Sequence, residues 1–511
     1  MRWIARRVDH DRRWLTRFGP SALPLAFVLA LGPVLLWTRL TGLGVSFWRD
    51  EIYSVVHYAS RGPGSIWLGH YEPNDHVLFN FLSWATTGLL GHSETVYRLW
   101  SVGPAIAAIG VVTWWLWRTW FPWLAVIFAG LAVTSPLHLE LAKQARGYGL
   151  GFLAGGLLLL SAVSIARGGG PRAYAGLAAA GLIGTWTLTG FLLAFVAQAG
   201  SLLPSKRARR GIAVVTVLVV AGVFVFYAPL LGAILGPLSH HGSYFKAAVG
   251  SPLGWDAFLV GPPDQFLGPA FRHLLGVHSS IAYEVIGVGL AASGGAGLWR
   301  SGERLVLFVL AGPLVFTEAS LTLLHVNVNP RFVSFLLFHF LVLVALGVIA
   351  WGRVAARARG VRRVVPVAGA TLIAVLAVRL VALNEHWDAV PIENFKQVAQ
   401  VVHRAGFVDV VTDSVRPRGL RYYLGIGHVQ VLSPEHLEAL FCHSRQPLAY
   451  VDHLAYPEIT YAGDPPRPMP VTVSCLRSRG ATLVSVPERE HGLPVDVWFL
   501  RPGVANAPRT S

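Results

Sequence analysis

The feature that most constrains this chain is a series of apolar runs. Each is close to the roughly 20 residues that a bilayer-crossing helix needs, and short arginine-rich clusters separate them. The runs fall at about 20–40, 97–117, 120–135, 147–166, 172–188, 190–204, 211–232, 281–299, 304–325, 332–351 and 364–383. Soluble domains carry roughly a quarter charged residues, whereas here 13% are charged and 54% are hydrophobic. The pattern is that of an integral membrane protein. A net charge of +16 raises nucleic acid as a partner, but the placement of the cations excludes it. They sit in clusters between the spans, as the positive-inside rule requires.

Orientation follows from the same clusters. Arg2, Arg6, Arg7, Arg12, Arg13 and Arg17 precede the first run, and no small-residue cleavage site follows it. Residues 1–18 therefore read as a basic cytoplasmic N-terminus leading into a retained signal anchor. The stretch His76 to Gly91 is apolar but only about 16 residues long, short for a span. If it spanned, Arg118, Arg167, Arg172 and the Lys206 to Arg210 cluster would all face the side opposite the N-terminus. As a helix lying on the outer surface, it leaves every basic cluster inside. The pair at 172–204 must be even in number, because Arg172 and Lys206 call for the same side.

These readings predict an all-α polytopic domain over 19–383, with about eleven transmembrane helices, the N-terminus inside and the C-terminus outside. Outer loops fall at 41–95, 136–146 and 233–280, with a short one at 326–331. The tail, 384–511, reads as a small extracytoplasmic α/β domain. It opens with a helical pattern, Phe395, Val398, Val401 and Val402, and strand-like runs follow at 409–412, 429–432, 448–451 and 495–499. Cys442 and Cys475, the only cysteines, are expected to pair if the tail is exported and to be free thiols if it is cytosolic.

Ionisable residues gather in the outer loops. Trp48-Arg49-Asp50-Glu51 places two carboxylates just outside the first span, either as charges that stop it or as groups that accept a proton or hold a metal. Glu72, Asp75 and His76 follow, with Asn74 or Asp75 placed to cap the surface helix. The second loop offers Glu140, Lys143, Gln144, Arg146 and Tyr148, and Arg98 and Arg331 stand at outer ends of spans. Snorkelling accounts for such arginines, and so does a lipid phosphate, since a planar guanidinium matches phosphate geometry. Carboxylates and cations converging at one mouth would bind a phosphate while deprotonating a hydroxyl.

The order of these motifs resembles the lipid-phosphate-sugar-dependent glycosyltransferases of the membrane-embedded C-type superfamily, GT-C. The similarity is nearest to the bacterial branch related to protein O-mannosyltransferases and aminoarabinose transferases. It rests on Asp50-Glu51, Asn74-Asp75-His76, Arg98-Leu99-Trp100-Ser101, Gln144-Ala145-Arg146-Gly147-Tyr148 and Pro330-Arg331-Phe332, and covers about 20–350. Many relatives carry His-Pro-Pro where this chain has His76-Val77-Leu78.

The resemblance implies Asp50 as catalytic carboxylate with Glu51 in support. It implies Arg146 and Arg331 on the carrier phosphate, with Arg98 and Lys143 beside them, and Glu72, Asp75, His76, Glu140, Gln144 and Tyr148 around the substrate. A divalent metal is left open, with Asp50 and Glu140 as its ligands if one is used. The expected reaction is inverting transfer of a sugar, mannose or arabinose by family analogy, from a polyprenyl-phosphate carrier to an extracytoplasmic acceptor. The alternatives are a transporter or flippase for a polar lipid, which would need ionisable residues near the membrane midplane, and a non-catalytic scaffold.

Overall fold

The structure is a computed structural model. It describes residues 22–68, 75–230, 279–323, 330–355, 394–412, 418–432, 447–452, 475–479, 481–486 and 495–500, with single residues at 381, 384, 436 and 440. The chain forms two compact units. One comprises Met1–Thr41, Arg61–Gly91 and Val96–Ala382; the other comprises Gly42–Ser60, His92–Thr95 and Leu383–Ser511.

The first unit is helical. Five of its described helices are long and apolar enough to cross a membrane: Ala22–Leu40, Glu94–Thr119, Tyr148–Ala166, Arg209–Leu230 and Arg331–Val354. A sixth arises if Pro122–Val133 and Pro136–Ala142, bent by 61° at their junction, count as one broken span. The protein is thus a multi-pass membrane protein, but by this measure the described residues do not reach the eleven spans expected. Pro171–Thr187 and Phe191–Leu202 are separate helices of 17 and 12 residues, not one crossing. Ser279–Arg300 and Arg304–Leu323 coincide with predicted segments without meeting the measure, and 364–383 lies outside the described residues. Val77–Leu90 is a 14-residue apolar helix at the place foreseen for the surface helix. Its N-cap is His76, so neither Asn74 nor Asp75 is the cap; Asp75 Oδ1 instead accepts from Asn80 Nδ2 at 2.7 Å.

The bend at Ser135 has a local cause. Pro136 takes the first helical position, where its missing N–H costs nothing, and Ser135 Oγ accepts the backbone N–H of His138 at 3.3 Å. Tyr148–Ala166 is buried over most of its surface. Without a hydrophobic drive between helices in lipid, close approach depends on small residues. A Cβ at Gly149 would collide with the Ser101 carbonyl oxygen, and one at Gly155 with the Phe335 carbonyl oxygen. Neighbouring backbones are therefore seated directly on this helix. Deeper in the unit, buried Gln198 donates to the Val309 carbonyl at 3.1 Å and pairs with His339 Nε2 at 2.8 Å, which satisfies both ends of its amide.

The second unit contains a five-stranded sheet: β1 (Val410–Thr412), β2 (Val429–Val431), β3 (Leu448–Asp452), β4 (Thr482–Val486) and β5 (Val495–Leu500). The order is β2-β1-β3-β5-β4. β1 pairs in parallel with β2 and β3, whereas β5 pairs antiparallel with β3 and β4. The helix Phe395–Arg404 buries Phe395, Val398, Ala399 and Val402, one face of a 3.6-residue period. Val411, Tyr450, Leu476 and Trp498 form a core cluster. Cys475 is disulfide-bonded; Cys442 lies outside the described residues.

Overpacking a seated glycine costs roughly 1–3 kcal/mol. Gly149→Val is expected to lower the melting temperature in detergent by several degrees. Gly200→Ala, where a Cβ meets nothing within 4 Å, is expected to leave it unchanged. Equal melting temperatures for the two variants would refute this packing account.

Candidate active site

Two groups of predicted residues are built in different ways. In the second unit, the chain leaves the first span through a turn at Thr41–Gly44, and Trp48, in extended conformation, caps the short helix Arg49–Ser54. Glu51 is buried at 2% exposure, and its Oε2 accepts the Trp48 N–H at 3.1 Å. That is the reach-back half of a capping box, so Glu51 spends a carboxylate oxygen on holding the loop. Asp50, one residue earlier, is half-buried. The helix then runs into a π-helical turn, Val55–Ala59.

Residues of the C-terminal part of the same unit grip this loop. Tyr423 Oη accepts the Phe47 N–H at 2.8 Å and donates to Glu94 Oε1 at 3.3 Å. Lys396 Nζ pairs with Glu94 at 2.9 Å and donates to the Gly44 carbonyl at 3.0 Å, while its backbone N–H reaches Ser46 Oγ at 3.3 Å. Phe47 packs edge-on against Tyr422, with ring centres 5.8 Å apart. Burial raises the Tyr423 pKa, and the Glu94 carboxylate adds to the rise against the Phe47 N–H, so the phenol keeps the proton it donates. Tyr423→Phe removes the acceptor from the Phe47 amide at a cost of about 1–3 kcal/mol. Hydrogen exchange over residues 44–54 is expected to accelerate about tenfold or more; an unchanged rate would show that Tyr423 does not hold the loop.

The first unit gathers the second group. Arg146 is fully buried in the turn before Tyr148–Ala166, where its N–H contacts the Gln144 carbonyl at 2.7 Å. Gly147 follows as N-cap, and a Cβ there would strike Thr187 and press on His76. His76, at 2% exposure, has Nδ1 3.2 Å from the Thr187 carbonyl oxygen and its ring 5.2 Å from that of Tyr148, edge to face. The Arg146 guanidinium carbon lies 5.2 Å from the centre of the Tyr148 ring. Arg331, half-buried, lies over Phe332 at 5.0 Å.

Burial, then the charges of Arg146 and Arg331, hold the His76 pKa well below the ordinary histidine value, against the Thr187 carbonyl. His76 is therefore neutral, and the positive charges of Arg146 and Arg331 both act on it, with the Tyr148 ring against both His76 and Arg146. Such surroundings suit an anion and oppose a metal ion at His76. Among the described residues, no group of three or more His, Cys, Asp or Glu side chains is placed to hold a metal.

The other predicted residues are placed as follows. Arg98 and Gln144 are buried, and Glu140 and Lys143 are half-buried at the end of Pro136–Ala142. Ser101 Oγ donates to the Leu141 carbonyl at 3.2 Å, which ties the Arg98 helix to that segment. Glu72 and residues 233–278 of the third outer loop lie outside the described residues. Glu318 lines an apolar cavity of about 630 Å³ that no predicted site residue lines.

Sequence reasoning missed Thr187, whose contribution is a backbone carbonyl without a side-chain signature. It also missed a buried pair: Arg39, fully buried, donates to Thr38 Oγ1 at 2.7 Å and meets His138 Nδ1 at 3.3 Å. The His138 ring stacks on Phe152 at 4.5 Å. An arginine in the last turn of a first span reads as snorkelling, so only its burial distinguishes it.

No protein-family model and no curated protein matches the chain. Solved structures do. The fold is that of a polytopic helical membrane protein with an α/β tail, and ArnT from Cupriavidus metallidurans shares it. The apo form superposes with a TM-score of 0.55 at 13% identity, covering 93% of this chain and 98% of that one. The form bound to undecaprenyl phosphate gives 0.53 at 14% identity, covering 94% and 98%. Identity this low establishes shared fold alone.

Proposed function

We propose that the protein is a C-type membrane glycosyltransferase that moves a sugar from a polyprenyl-phosphate carrier to an extracytoplasmic acceptor with inversion. The observation that carries this reading is the cationic cluster of Arg146 and Arg331 around a neutral histidine, built for an anion at the head of a membrane helix. The fold shared with ArnT over almost the full length of both chains, in one case bound to undecaprenyl phosphate, supports a polyprenyl phosphate as that anion. Mannose and arabinose are the sugars that family analogy suggests. The disulfide at Cys475 supports an exported tail, and the basic clusters support an N-terminus inside.

In this reading Asp50 is the general base. It takes the proton of an acceptor hydroxyl as that oxygen bonds to the anomeric carbon. The bond from the anomeric carbon to the phosphate oxygen breaks, and its electron pair leaves with the polyprenyl phosphate. Arg146 and Arg331 stabilise the growing negative charge, with Arg98 and Lys143 adding positive potential. Glu51 acts through the loop, as the cap that aims Asp50. Asp50 and the arginines belong to different units of the chain.

Asp50→Asn is expected to lower transfer by about 10²–10⁴-fold while expression and melting temperature stay as in the wild type. Arg146→Lys and Arg331→Lys, which remove fork-shaped recognition, are expected to weaken undecaprenyl phosphate binding about tenfold or more. Sugar transfer unchanged in Asp50→Asn would reject the base. Lipid-linked substrate flux without glycosyl product would favour a transporter.

A further inference from the structure

His76 and Tyr148 bear on which anion the cluster accepts. The Thr187 carbonyl oxygen 3.2 Å from His76 Nδ1 can only accept, so Nδ1 carries the ring proton. Nε2 is then a bare lone pair. It is buried, and it has no hydrogen-bond partner among the described residues; the Tyr148 hydroxyl is buried in the same state. The two rings meet edge to face at 5.2 Å, yet neither polar atom satisfies the other. Buried polar atoms in folded proteins are nearly always paired, so two neighbouring orphans mark a place for a partner that the described residues do not supply.

The chemistry of that partner is restricted. It must donate to Nε2, which a phosphate oxygen cannot do. A metal ion or ammonium group would meet the repulsion of Arg146 and Arg331. A neutral hydroxyl satisfies both limits, and it must lie close to the anion those arginines favour. The Tyr148 hydroxyl both donates and accepts, so it can bond the same hydroxyl or the phosphate beside it.

We infer that His76 Nε2 and Tyr148 Oη form a hydroxyl-reading subsite, which selects phosphodiesters whose esterified group carries a hydroxyl near the phosphate over phosphates that lack one. This rests on the reading of Arg146 and Arg331 as a phosphate site, and it adds the feature that distinguishes a loaded glycosyl carrier from the spent one. A site built around a buried acceptor rejects the analogue lacking the hydroxyl, because the acceptor is then left unpaired.

Binding of three probes to the purified full-length protein in nanodiscs tests the subsite without presuming a sugar. The probes are farnesyl phosphate, 2-hydroxyethyl farnesyl phosphate and propyl farnesyl phosphate; the two diesters differ only by hydroxyl against methyl. Wild type is expected to prefer the hydroxyethyl diester over the propyl diester by about tenfold to a hundredfold. His76→Phe, which keeps an aromatic ring against Tyr148, is expected to bring that ratio close to one, and Tyr148→Phe to reduce it.

Equal affinity of wild type for the two diesters would mean that water serves both groups, and would overturn the subsite whether or not the variants fold. A preference that survives His76→Phe would overturn the role of Nε2. Failure of farnesyl phosphate to bind, or binding unaffected by Arg146→Lys and Arg331→Lys, would overturn the phosphate reading itself and the subsite with it.

Discussion

A guanidinium carried to zero exposure at the head of a membrane helix is the constraint around which the first unit is organised. Taking a cation out of water is costly unless hydrogen bonds and opposite charge are arranged around it, and the cost is felt most in a membrane protein. Arg146 is placed there by its neighbours in sequence. Gly147 lets His76 and Thr187 close over the turn, and Gly149 lets the Ser101 backbone press against the same helix. Tyr148 offers a ring face to the guanidinium. The Gln-Ala-Arg-Gly-Tyr-Gly stretch is thus a packing device and a cation site at once, and substitution of its glycines would move the charge as well as loosen the bundle.

The carboxylates follow a different logic. Asp50 and Glu51 are adjacent, yet the structure separates their roles: Glu51 is turned back on the Trp48 amide, while Asp50 remains half-buried beside it. Their loop is not a free excursion from the first span. Tyr423, Lys396 and Glu94 tie it into the unit that contains the C-terminal sheet, through bonds to the Phe47 amide, the Gly44 carbonyl and the Ser46 hydroxyl. The C-terminal part of the chain therefore has a structural role in holding this loop. It stiffens the segment that carries Asp50, and under the proposed function that would matter because proton transfer falls off steeply as the geometry loosens.

Much of the helical layout was legible, because apolar runs bounded by arginines are a strong signal. The runs at 20–40, 97–117, 147–166 and 211–232 become the helices Ala22–Leu40, Glu94–Thr119, Tyr148–Ala166 and Arg209–Tyr227. The break at Ser135-Pro136 lies where the 120–135 run was expected to end; the short helix Pro136–Ala142, which Pro136 starts, was not foreseen in the loop that follows. In the tail, Phe395–Arg404 and four strands lie where period and β-branched content suggested; β4, Thr482–Val486, with only Val486 buried, was missed.

At the candidate site, short motifs named Arg146, His76, Tyr148 and Arg331. What they left unread was tertiary: the Thr187 carbonyl, the Arg39–His138 pair, and the grip of Tyr423 on Phe47, 376 residues away in the chain. A backbone carbonyl or a distant tyrosine leaves no mark on local spacing.

The central claim is that Arg146 and Arg331 receive a lipid phosphate on which Asp50 also acts. An experimental map of the protein in nanodiscs with undecaprenyl phosphate tests it most directly. The account predicts phosphate density within hydrogen-bond distance of both guanidinium groups, with the Asp50 carboxylate facing the side from which an acceptor would approach. Phosphate density away from these arginines, or Asp50 on the far side of the membrane from it, would contradict the account.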